Sequence, residues 1–432
     1  MEKEPLRLIY RRFLENQVIS TDSRKILPGS LFFALKGPTF NGNQFAASAL
    51  EQGAAYAVVD EEEFAVDARF ILVDDVLATL QALATHHRRQ FDIPVIAITG
   101  TNGKTTTKEL VHAVLSTTFR VTATSGNLNN HIGVPLTLLS ITKETGIAVV
   151  EIGANHPGEI DQLCRIAEPE YGLITNIGKA HLEGFGGYEG VVRAKSELYR
   201  YLAGRGGKIF LNKDDDLLKE LAGNLPAITY GSYPASAAWQ DFTAEPFVKL
   251  ILILGDKEKM PVATKLYGSY NLANILAAAC TGHYFKVPAI KIAEAIAGYE
   301  PSINRSQVKE TDRNLLIMDA YNANPSSMKQ ALLTFAETHY HRKALILGDM
   351  LELGDESDAE HEAILALAET MRFEEVYLVG PVFTRVNRKR EFLCFQDVGL
   401  AGMWFEHHPL NGVAILLKGS RGMKLERLVE LL

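Results

Sequence analysis

The residues with the clearest chemical meaning lie in the segment Gly100–Thr106, which reads Gly-Thr-Asn-Gly-Lys-Thr-Thr. This segment follows the apolar run Val95–Ile98 and precedes a helical pattern, so we predict a strand, a tight loop and a helix. Glycines let the backbone amides of such a loop turn toward a phosphate, and the amino end of the helix adds partial positive charge. Lys104 would reach the outer phosphates of a nucleotide, and the Thr105 hydroxyl would bind Mg²⁺. The segment therefore predicts a phosphate-binding loop, although Ile98 stands at the first glycine position of the general pattern.

Apolar runs alternate with helical patterns along most of the chain, which predicts an α/β fold with mainly parallel sheets. We expect three domains: a small N-terminal α/β domain (1–85), a central phosphate-loop domain on a doubly wound sheet (86–301) and a Rossmann-like C-terminal domain (302–432). Polar–apolar alternation around Trp239–Lys265 predicts an antiparallel hairpin. Glu151 follows the apolar run Ile147–Val150, and a carboxylate at that end of a strand suits Mg²⁺.

Composition limits the kinds of partner. The net charge of −8 comes without a block of lysine or arginine, so we expect no nucleic-acid partner. Three widely spaced cysteines, Cys164, Cys280 and Cys394, form neither a disulfide framework nor a zinc motif and fit a reducing compartment. The charged N-terminal segment lacks the apolar run of a signal peptide, and no stretch approaches the ~18 apolar residues of a membrane span. We therefore expect a cytoplasmic protein that is not inserted in a membrane.

The phosphate loop resembles the shortened ATP loop of the Mur ligase family, to which folylpolyglutamate synthetases also belong, and the resemblance extends over nearly the whole chain. It implies three domains and the cofactors ATP and Mg²⁺. It also implies a reaction in which ATP phosphorylates a carboxylate and an amine then attacks the acyl phosphate. The ATP-binding residues implied for the loop are Gly100, Thr101, Asn102, Gly103, Lys104, Thr105 and Thr106.

The same resemblance implies a metal site and a modified lysine. In the family, the residues that match Glu151 and His181 hold Mg²⁺ together with the loop threonine, here Thr105. Lys195 resembles the family lysine that reacts with CO₂ to form a carbamate, an anionic oxygen ligand for the metal. Carbamate formation needs a neutral amine, so we expect a lowered pKa for Lys195. The implied catalytic residues are Lys104, His181 and Lys195.

Two further segments resemble nucleotide-binding elements of the family. Gly268–Ala279 implies that Asn271 and Asn274 lie near the adenine, with Tyr270 where the family often has histidine. Ser302–Gln307 resembles the element at the start of the third domain. It implies that Arg305 reaches the phosphates, although Asn304 replaces the usual glycine, and that Asp319 binds the ribose hydroxyls.

The segment Asp319–Met328, Asp-Ala-Tyr-Asn-Ala-Asn-Pro-Ser-Ser-Met, resembles one branch of the family in particular. That branch joins D-alanyl-D-alanine to UDP-N-acetylmuramoyl-tripeptide, and Leu347–Gly354 matches it as well. These two substrates are therefore the implied partners. The spacing of Ser327 and Gln330 predicts a capping box at a helix start. The implied substrate-binding residues in this segment are Tyr321, Asn322 and Asn324.

Other substrate contacts are implied outside the third domain. Ser20–Gly37 resembles the uridine-nucleotide-binding part of the family and implies contacts from Ser23 and Arg24. Asn127–Thr137 resembles the substrate loop of the central domain. The implied contacts in that loop are Asn127, Asn130 and Thr137. In the first domain, Asn41 and Asn43 replace the ends of the family's Asp-Gly-His stretch.

Several alternatives stay open at this stage. The enzyme alternatives are a ligase that adds the third stem-peptide residue and a folylpolyglutamate synthetase. Asn212–Asp215 fits the guanine-reading NKxD pattern of a nucleotide switch, but the chain has no DxxG element. A non-catalytic binding protein on the same fold is a third class. Each site residue also has a structural interpretation, as a turn, a cap or a surface charge. We expect a monomer.

Overall fold

The computed structural model describes residues 4–255, 258–301, 306–371, 373–388 and 390–432. Strands within these ranges form three main sheets and one short ribbon, which confirms the predicted α/β class. The limits at 85/86 and 301/302 stay predictions. Helix Val76–Arg88 runs across the first limit, and residues 302–305 at the second lie outside the described ranges.

The N-terminal domain is a parallel sheet in the order β1-β2-β5-β6, with β3 and β4 as an antiparallel ribbon. Asp75 accepts a hydrogen bond from the backbone N–H of Ala78 and so caps the last helix of the domain. That helix packs Leu80 and Leu83 into an apolar cluster that includes Leu138 of the central domain. The elements are α1 (Glu4–Asn16), β1 (Ile19–Ser20), β2 (Leu31–Phe33), β3 (Lys36–Gly37), β4 (Phe40–Asn41), α2 (Ala46–Glu51), β5 (Tyr56–Val59), β6 (Phe70–Leu72) and α3 (Val76–Arg88).

The central sheet has the order β15-β14-β13-β12-β11-β10-β7-β9-β8. Its elements are β7 (Val95–Thr99), α4 (Lys104–Ser116), β8 (Val121–Ala123), α5 (Gly133–Leu139), β9 (Ile147–Glu151), α6 (Glu159–Ala167), β10 (Tyr171–Ile174), α7 (Leu182–Phe185), α8 (Tyr188–Lys195), α9 (Glu197–Ala203), β11 (Lys208–Asn212), α10 (Asp216–Ala222), β12 (Ala227–Tyr230), β13 (Ala237–Ala244), β14 (Phe247–Leu254), β15 (Glu258–Tyr267), α11 (Asn271–Tyr284) and α12 (Ala289–Gly298). The chain leaves β7 toward β9 and β8 on one side and later returns to β10 on the other. Loops after β7, β9 and β10 therefore diverge at a switch point, where open α/β sheets bind ligands.

The predicted hairpin around Trp239–Lys265 is larger than expected. β13, β14 and β15 pair antiparallel in succession, with Leu252 opposite both Trp239 and Met260. The alternation of polar and apolar residues arises because one face of these strands is buried and the other is exposed. The single hairpin expected from the sequence is thus a meander of three strands in the described part of the chain.

The third sheet has the order β16-β17-β21-β18-β19-β20, and only its edge strand β16 pairs antiparallel among the described strands. The elements are β16 (Gln307–Glu310), β17 (Leu315–Asp319), α13 (Pro325–Glu337), β18 (Lys343–Gly348), α14 (Ser357–Thr370), β19 (Glu375–Val379), α15 (Pro381–Val386), β20 (Leu393–Phe395), α16 (Val398–His407) and β21 (Ala414–Lys418). The carboxyl ends of β17, β21 and β18 meet at one edge of this sheet.

The start of α13 differs from the predicted capping box. Asn324 accepts from the backbone N–H of Ser327 at 2.8 Å, and the Ser327 hydroxyl accepts from the N–H of Asn324 at 3.1 Å. The box therefore joins Asn324 to Ser327, and not Ser327 to Gln330. Pro325 occupies the first helical position, which lacks an intrahelical hydrogen bond in any case, so the helix begins one turn earlier than expected.

None of the described helices has both the length and the apolar content that a membrane crossing requires.

The core of the third domain provides a first prediction. Phe335 is fully buried on α13 and stacks on Phe373, whereas Leu333 on the same helix is 37% exposed. We expect Phe335→Ala to cost about 3–5 kcal/mol of unfolding free energy and Leu333→Ala about 1 kcal/mol or less. Urea unfolding followed by Trp404 fluorescence in a Trp239→Phe background measures both. Equal losses would contradict the assigned core face.

Candidate functional site

A cleft of about 850 Å³ lies between the carboxyl edges of the central and third sheets. The loops after β7, β9 and β10 border it on one side, and the loop after β17 and the last residue of β21, Lys418, border it on the other. Most of the residues predicted from the sequence line this cleft. They are Thr101, Asn102, Gly103, Lys104, Thr105, Thr106, Asn127, Asn130, Glu151, His181, Asn271, Asn274, Asp319, Tyr321, Asn322 and Asn324.

The phosphate loop has the backbone shape that its glycines allow. Gly100 has φ +142° and Gly103 has φ +77°, conformations that L side chains rarely adopt. A Cβ on Gly100 would lie 2.0 Å from the Thr175 hydroxyl oxygen. The ammonium of Lys104 donates to the carbonyls of Gly100 at 2.8 Å and Thr101 at 2.9 Å. The lysine therefore curls over its own loop, where it can exchange carbonyl contacts for phosphate oxygens.

Thr175 and Asn176, which follow β10, support this loop and were not among the residues predicted from the sequence. The Asn102 N–H donates to the Asn176 side chain at 3.0 Å, and the Thr175 hydroxyl donates to the Asn102 carbonyl at 2.6 Å. The Thr101 N–H donates to the Asn176 carbonyl at 2.9 Å. These contacts hold both peptide groups of the loop tip in one orientation. An Asn directly after a buried strand was the available signal.

Glu151 is 1% exposed at the end of β9. One of its carboxylate oxygens accepts from the Asn129 side chain at 2.8 Å, and its other oxygen, Oε2, is buried with no hydrogen-bond partner among the described residues. A buried oxygen of this kind needs a cation or a donor. The carboxylate of Glu151 and the hydroxyl of Thr105 line the same cleft, and such oxygen donors suit a hard cation such as Mg²⁺. Asn129 lies inside the predicted substrate loop, yet the sequence analysis chose only its neighbours.

A divalent ion would also need ligands from outside the protein. Within the described ranges, no group of three or more His, Cys, Asp or Glu side chains is close enough to hold a metal by itself. Mg²⁺ commonly takes one or two carboxylates, waters and the phosphate oxygens of a nucleotide. The residues present therefore fit a metal that is bound together with a nucleotide.

Lys195 lies behind the cleft wall at the last residue of α8. It is 2% exposed. Its ammonium makes a long contact of 3.4 Å to the Ala154 carbonyl and lies 5.4 Å from the Phe185 ring centre. Burial lowers the pKa of Lys195 to about 7, and the charge of Lys104 acts in the same direction. A substantial fraction of this amine is therefore neutral near pH 7, as the chemistry of a carbamate requires.

His181 lies at the start of α7 with φ +51°, in the left-handed region. Burial lowers its pKa, although the Glu352 carboxylate of the third domain opposes that shift and contacts Nδ1. The neutral imidazole is thus favoured, which is the form that binds a metal. Glu352 falls within the segment Leu347–Gly354 that the sequence analysis singled out, but no role was assigned to it.

Asn271 and Asn274 form one chain of hydrogen bonds at the base of the phosphate loop. The Thr107 hydroxyl donates to Asn274 at 3.0 Å, Asn274 donates to Asn271 at 2.9 Å, and Asn271 donates to the Tyr267 carbonyl at 2.8 Å. A Cβ on Gly103 would lie 2.6 Å from the Asn274 side chain. Both amides line the cleft, and the hydrogen bond from Thr107 to Asn274 joins α4 to α11.

Tyr270, which stands where a histidine was anticipated, has its hydroxyl 2.7 Å from the Ser306 hydroxyl. Burial raises the pKa of Tyr270 well above its ordinary value, with the Asp319 charge acting in the same direction. The phenol is therefore neutral and joins the central domain to the start of the third.

The third domain contributes a carboxylate and an amide to the cleft. Lys418 is 1% exposed and donates to Asp319 at 2.6 Å. The Asn324 side chain donates to the Asn102 side chain of the phosphate loop at 2.8 Å. The Ser326 hydroxyl accepts from the Lys179 N–H at 2.8 Å. The sequence analysis missed Lys418, although a lysine that ends an apolar strand is an available signal.

Some predicted residues lie elsewhere. Arg24 is exposed and paired with Asp22, and Ser23 next to it lies in the same N-terminal loop, away from the lining of the cleft. Thr137 is buried in α5, where its hydroxyl donates to the Gly133 carbonyl at 3.0 Å, so it has a structural contact and does not line the cleft. Gly100 and Lys195 lie just behind the lining residues. Arg305 and Asn304 lie outside the described residues.

Three family models match successive segments of the chain. The model of the Mur ligase family, catalytic domain, matches residues 16–88, and that of the Mur ligase middle domain matches residues 98–282. The model of the Mur ligase, glutamate ligase domain, matches residues 304–393.

Individual proteins are similar over almost the whole chain. UDP-N-acetylmuramoyl-tripeptide–D-alanyl-D-alanine ligase of Bacillus subtilis (strain 168) is 36% identical over 431 residues, which cover 95% of this chain and 92% of that protein. The crystal structure of MurF from Acinetobacter baumannii has 31% identity and a TM-score of 0.86, covering 95% of this chain and 92% of the other. MurF ligase from Thermotoga maritima, in complex with ADP, has 26% identity and a TM-score of 0.85, covering 100% and 98%.

The close approach at Gly100 provides a second prediction. We expect Gly100→Ala to strain the loop by about 1–3 kcal/mol and to weaken ATP binding roughly tenfold or more, because the added methyl group collides with Thr175. Gly206→Ala is the matched control, since Gly206 also has a positive φ of +69° but has no atom within 4 Å of the added methyl group. Isothermal titration with ATP measures both. Unchanged affinity in Gly100→Ala would contradict the assigned loop geometry.

Proposed function

The chain belongs to the Mur ligase family, and we propose that it is an ATP- and Mg²⁺-dependent ligase that joins D-alanyl-D-alanine to UDP-N-acetylmuramoyl-tripeptide. The observation that carries the proposal is the contact between Asn324 and Asn102. It brings the segment typical of this branch, Asp319–Met328, directly against the phosphate loop. This reaction belongs to the synthesis of the peptidoglycan precursor, on which the cell wall, cell shape and cell division depend.

The phosphate loop would bind and orient the nucleotide. Lys104 and the inward-facing amides would hold the outer phosphates, with the amino end of α4 adding positive charge. Asn271 and Asn274 would lie near the adenine, and Asp319 would accept hydrogen bonds from the ribose hydroxyls. Asp319 is pre-oriented for this by the buried Lys418, which leaves its other carboxylate oxygen available.

The chemistry would proceed in two steps. An oxygen of the tripeptide carboxylate attacks the γ-phosphorus of ATP, and ADP leaves. The amine of D-alanyl-D-alanine then attacks the acyl carbon, the amide bond forms and phosphate leaves. Lys104 would stabilise the negative charge of the transferring phosphoryl group, which is where positioned cations act most strongly.

The metal would reduce repulsion between the phosphates and the incoming carboxylate. Thr105, Glu151, His181 and carbamylated Lys195 are the proposed ligands. The unpartnered oxygen of Glu151 and the lowered pKa of Lys195 support this set. Loop residues of the central domain, Asn127 and Asn130, and of the third domain, Tyr321 and Asn322, would bind the two substrates. Ser23 and Arg24 are proposed for the uridine nucleotide, on the resemblance alone.

One chain supplies the loops on both sides of the cleft, so we propose that the enzyme acts as a monomer. A cytoplasmic location fits the proposed substrates, since ATP is present there and both other substrates are water-soluble.

Contacts from the third domain also cover the phosphate loop, which would protect an acyl phosphate from water.

The test is ADP release with purified protein. The proposal expects release that needs both D-alanyl-D-alanine and a tripeptide nucleotide, measured with two tripeptide nucleotides that differ in the third residue. Folate with glutamate tests for a folylpolyglutamate synthetase. A dipeptide nucleotide with the amino acids that become the third residue tests for the ligase that adds that residue. GTP hydrolysis without an amine would indicate a switch. Activity with any of these, and none with D-alanyl-D-alanine, would refute the proposal.

We predict that Lys104→Ala and Glu151→Ala each lower kcat by about 10²-fold or more, because Lys104 would stabilise the charge of the phosphoryl group directly and Glu151 would hold the Mg²⁺ that does the same. Lys143→Ala, an exposed lysine, is the control and keeps normal turnover. The coupled ADP assay measures the rates, and circular dichroism checks the fold. Near-normal turnover in either folded site variant would contradict the assigned roles.

The role of Lys195 can be separated from that of a simple positive charge. We expect Lys195→Ala to be nearly inactive and partly rescued by acetate, because a small carboxylate can occupy the vacated space and bind Mg²⁺. Lys195→Arg should stay inactive with acetate, since guanidinium fills the space and cannot be carbamylated. Activity retained in Lys195→Arg, or no response of Lys195→Ala to acetate, would reject the carbamate.

A further inference from the structure

A side-chain pair joins the third domain to His181. Nδ1 of His181 contacts the carboxylate of Glu352, which lies in the loop between β18 and α14. An ionised carboxylate only accepts hydrogen bonds, so Nδ1 must carry the proton. In the neutral imidazole this leaves Nε2 as the nitrogen with a free lone pair. His181 lines the cleft. The contact with Glu352 of the third domain therefore determines which ring nitrogen of His181 can bind a ligand there.

The backbone on both sides of this contact adopts a rare conformation. His181 has φ +51° and Glu352 has φ +62°, the left-handed region that non-glycine residues seldom enter. The main chains meet as well: the Glu183 N–H donates to the Glu352 carbonyl at 3.4 Å. A Cβ on Gly354 would lie 3.2 Å from the Cβ of Glu183. Such residues persist where the surroundings determine them strongly, which is common at ligand-binding sites.

We propose that Glu352 is a positioning residue for the Mg²⁺ site: it accepts a hydrogen bond from the Nδ1–H of His181 and thereby directs Nε2 to the metal. The inference rests on the proposed function, because it concerns the metal of that reaction. Metal-binding histidines commonly donate their second N–H to a carboxylate, and removing that partner weakens metal binding about 10–100-fold. Because Glu352 comes from the third domain, the metal site is complete only when that domain closes on the central one.

The same interface supplies a matched control. Lys179 of the central domain pairs with Glu360 of α14, so this second ion pair also joins the two domains. Lys179 is not one of the proposed metal ligands. If Glu352 merely held the domains together, loss of Glu360 would have the same consequence for the metal as loss of Glu352.

The test measures Mn²⁺ affinity by electron paramagnetic resonance with a non-hydrolysable ATP analogue bound. We expect Glu352→Ala to weaken Mn²⁺ binding about tenfold or more. Glu352→Gln should weaken it less, since an amide oxygen can still accept the hydrogen bond from Nδ1–H, and Glu360→Gln should change it less than twofold. The Glu352 side chain is 58% exposed, so its loss should leave the fold intact. Unchanged Mn²⁺ affinity in Glu352→Ala, or equal weakening in Glu360→Gln, would overturn the proposal.

A second readout follows the imidazole itself. The readout is the ¹⁵N spectrum of histidine-labelled protein, in which His181→Asn identifies the signal. In the wild type, neutral His181 should carry its proton on Nδ1. In Glu352→Ala, the neutral imidazole should be a mixture of the Nδ1–H and Nε2–H tautomers. The same tautomer mixture in both proteins would overturn the proposal. Neither measurement needs turnover. A wild-type protein that releases no ADP with D-alanyl-D-alanine would refute the proposed function, whereas these results would still decide whether Glu352 positions His181.

Discussion

The rest of the site depends on the segment from Thr175 to His181, which follows β10 and contacts both the phosphate loop and the third domain. Its first residues hold the tip of the phosphate loop through contacts from Thr175 and Asn176. Its middle residues meet α13 of the third domain, where a Cβ on Gly178 would lie 2.5 Å from the Ser326 hydroxyl oxygen. Its last residue, His181, contacts Glu352. The segment therefore helps to set the distance between the two sheets that border the cleft.

The positive charge at the cleft comes from individual lysines whose surroundings differ. The chain carries a net charge of −8, so a triphosphate must be attracted by the site and not by the molecule as a whole. Lys104 lies over the phosphate loop with carbonyl partners, whereas Lys418 is neutralised by Asp319. Lys195 is the exception, because its burial and the nearby Lys104 favour the uncharged amine. The three lysines therefore differ in charge and in partners because their surroundings differ.

The sequence predicted the α/β class and the phosphate loop, and most of the site residues that it predicted line the cleft, because these depend on local patterns. Gly100–Thr106 sits between a buried strand and a helix, and both can be read from apolar spacing. Contacts between distant segments had no such signal. Asn129 holds Glu151, Asn176 holds Asn102, and Glu352 reaches His181, yet each is an ordinary polar loop residue until the sheets are assembled.

The wrong prediction of the capping box has a physical cause as well. Ser327 was assigned as the first residue of a capping box, but Asn324 is an equally good cap and precedes a proline that suits the first helical position. Thr137 lies in α5, where its hydroxyl bonds to the carbonyl one turn earlier, and its contact with substrate stays a prediction.

The central claim is that the cleft uses ATP to activate a carboxylate, and an isotope experiment tests it most directly. The tripeptide nucleotide would be labelled with ¹⁸O in its terminal carboxylate and converted with ATP and D-alanyl-D-alanine, and the released phosphate would be analysed by mass spectrometry. The account predicts that each released phosphate carries one carboxylate oxygen, because that oxygen bridged carbon and phosphorus in the acyl phosphate. Unlabelled phosphate from a reaction that forms the amide would contradict it.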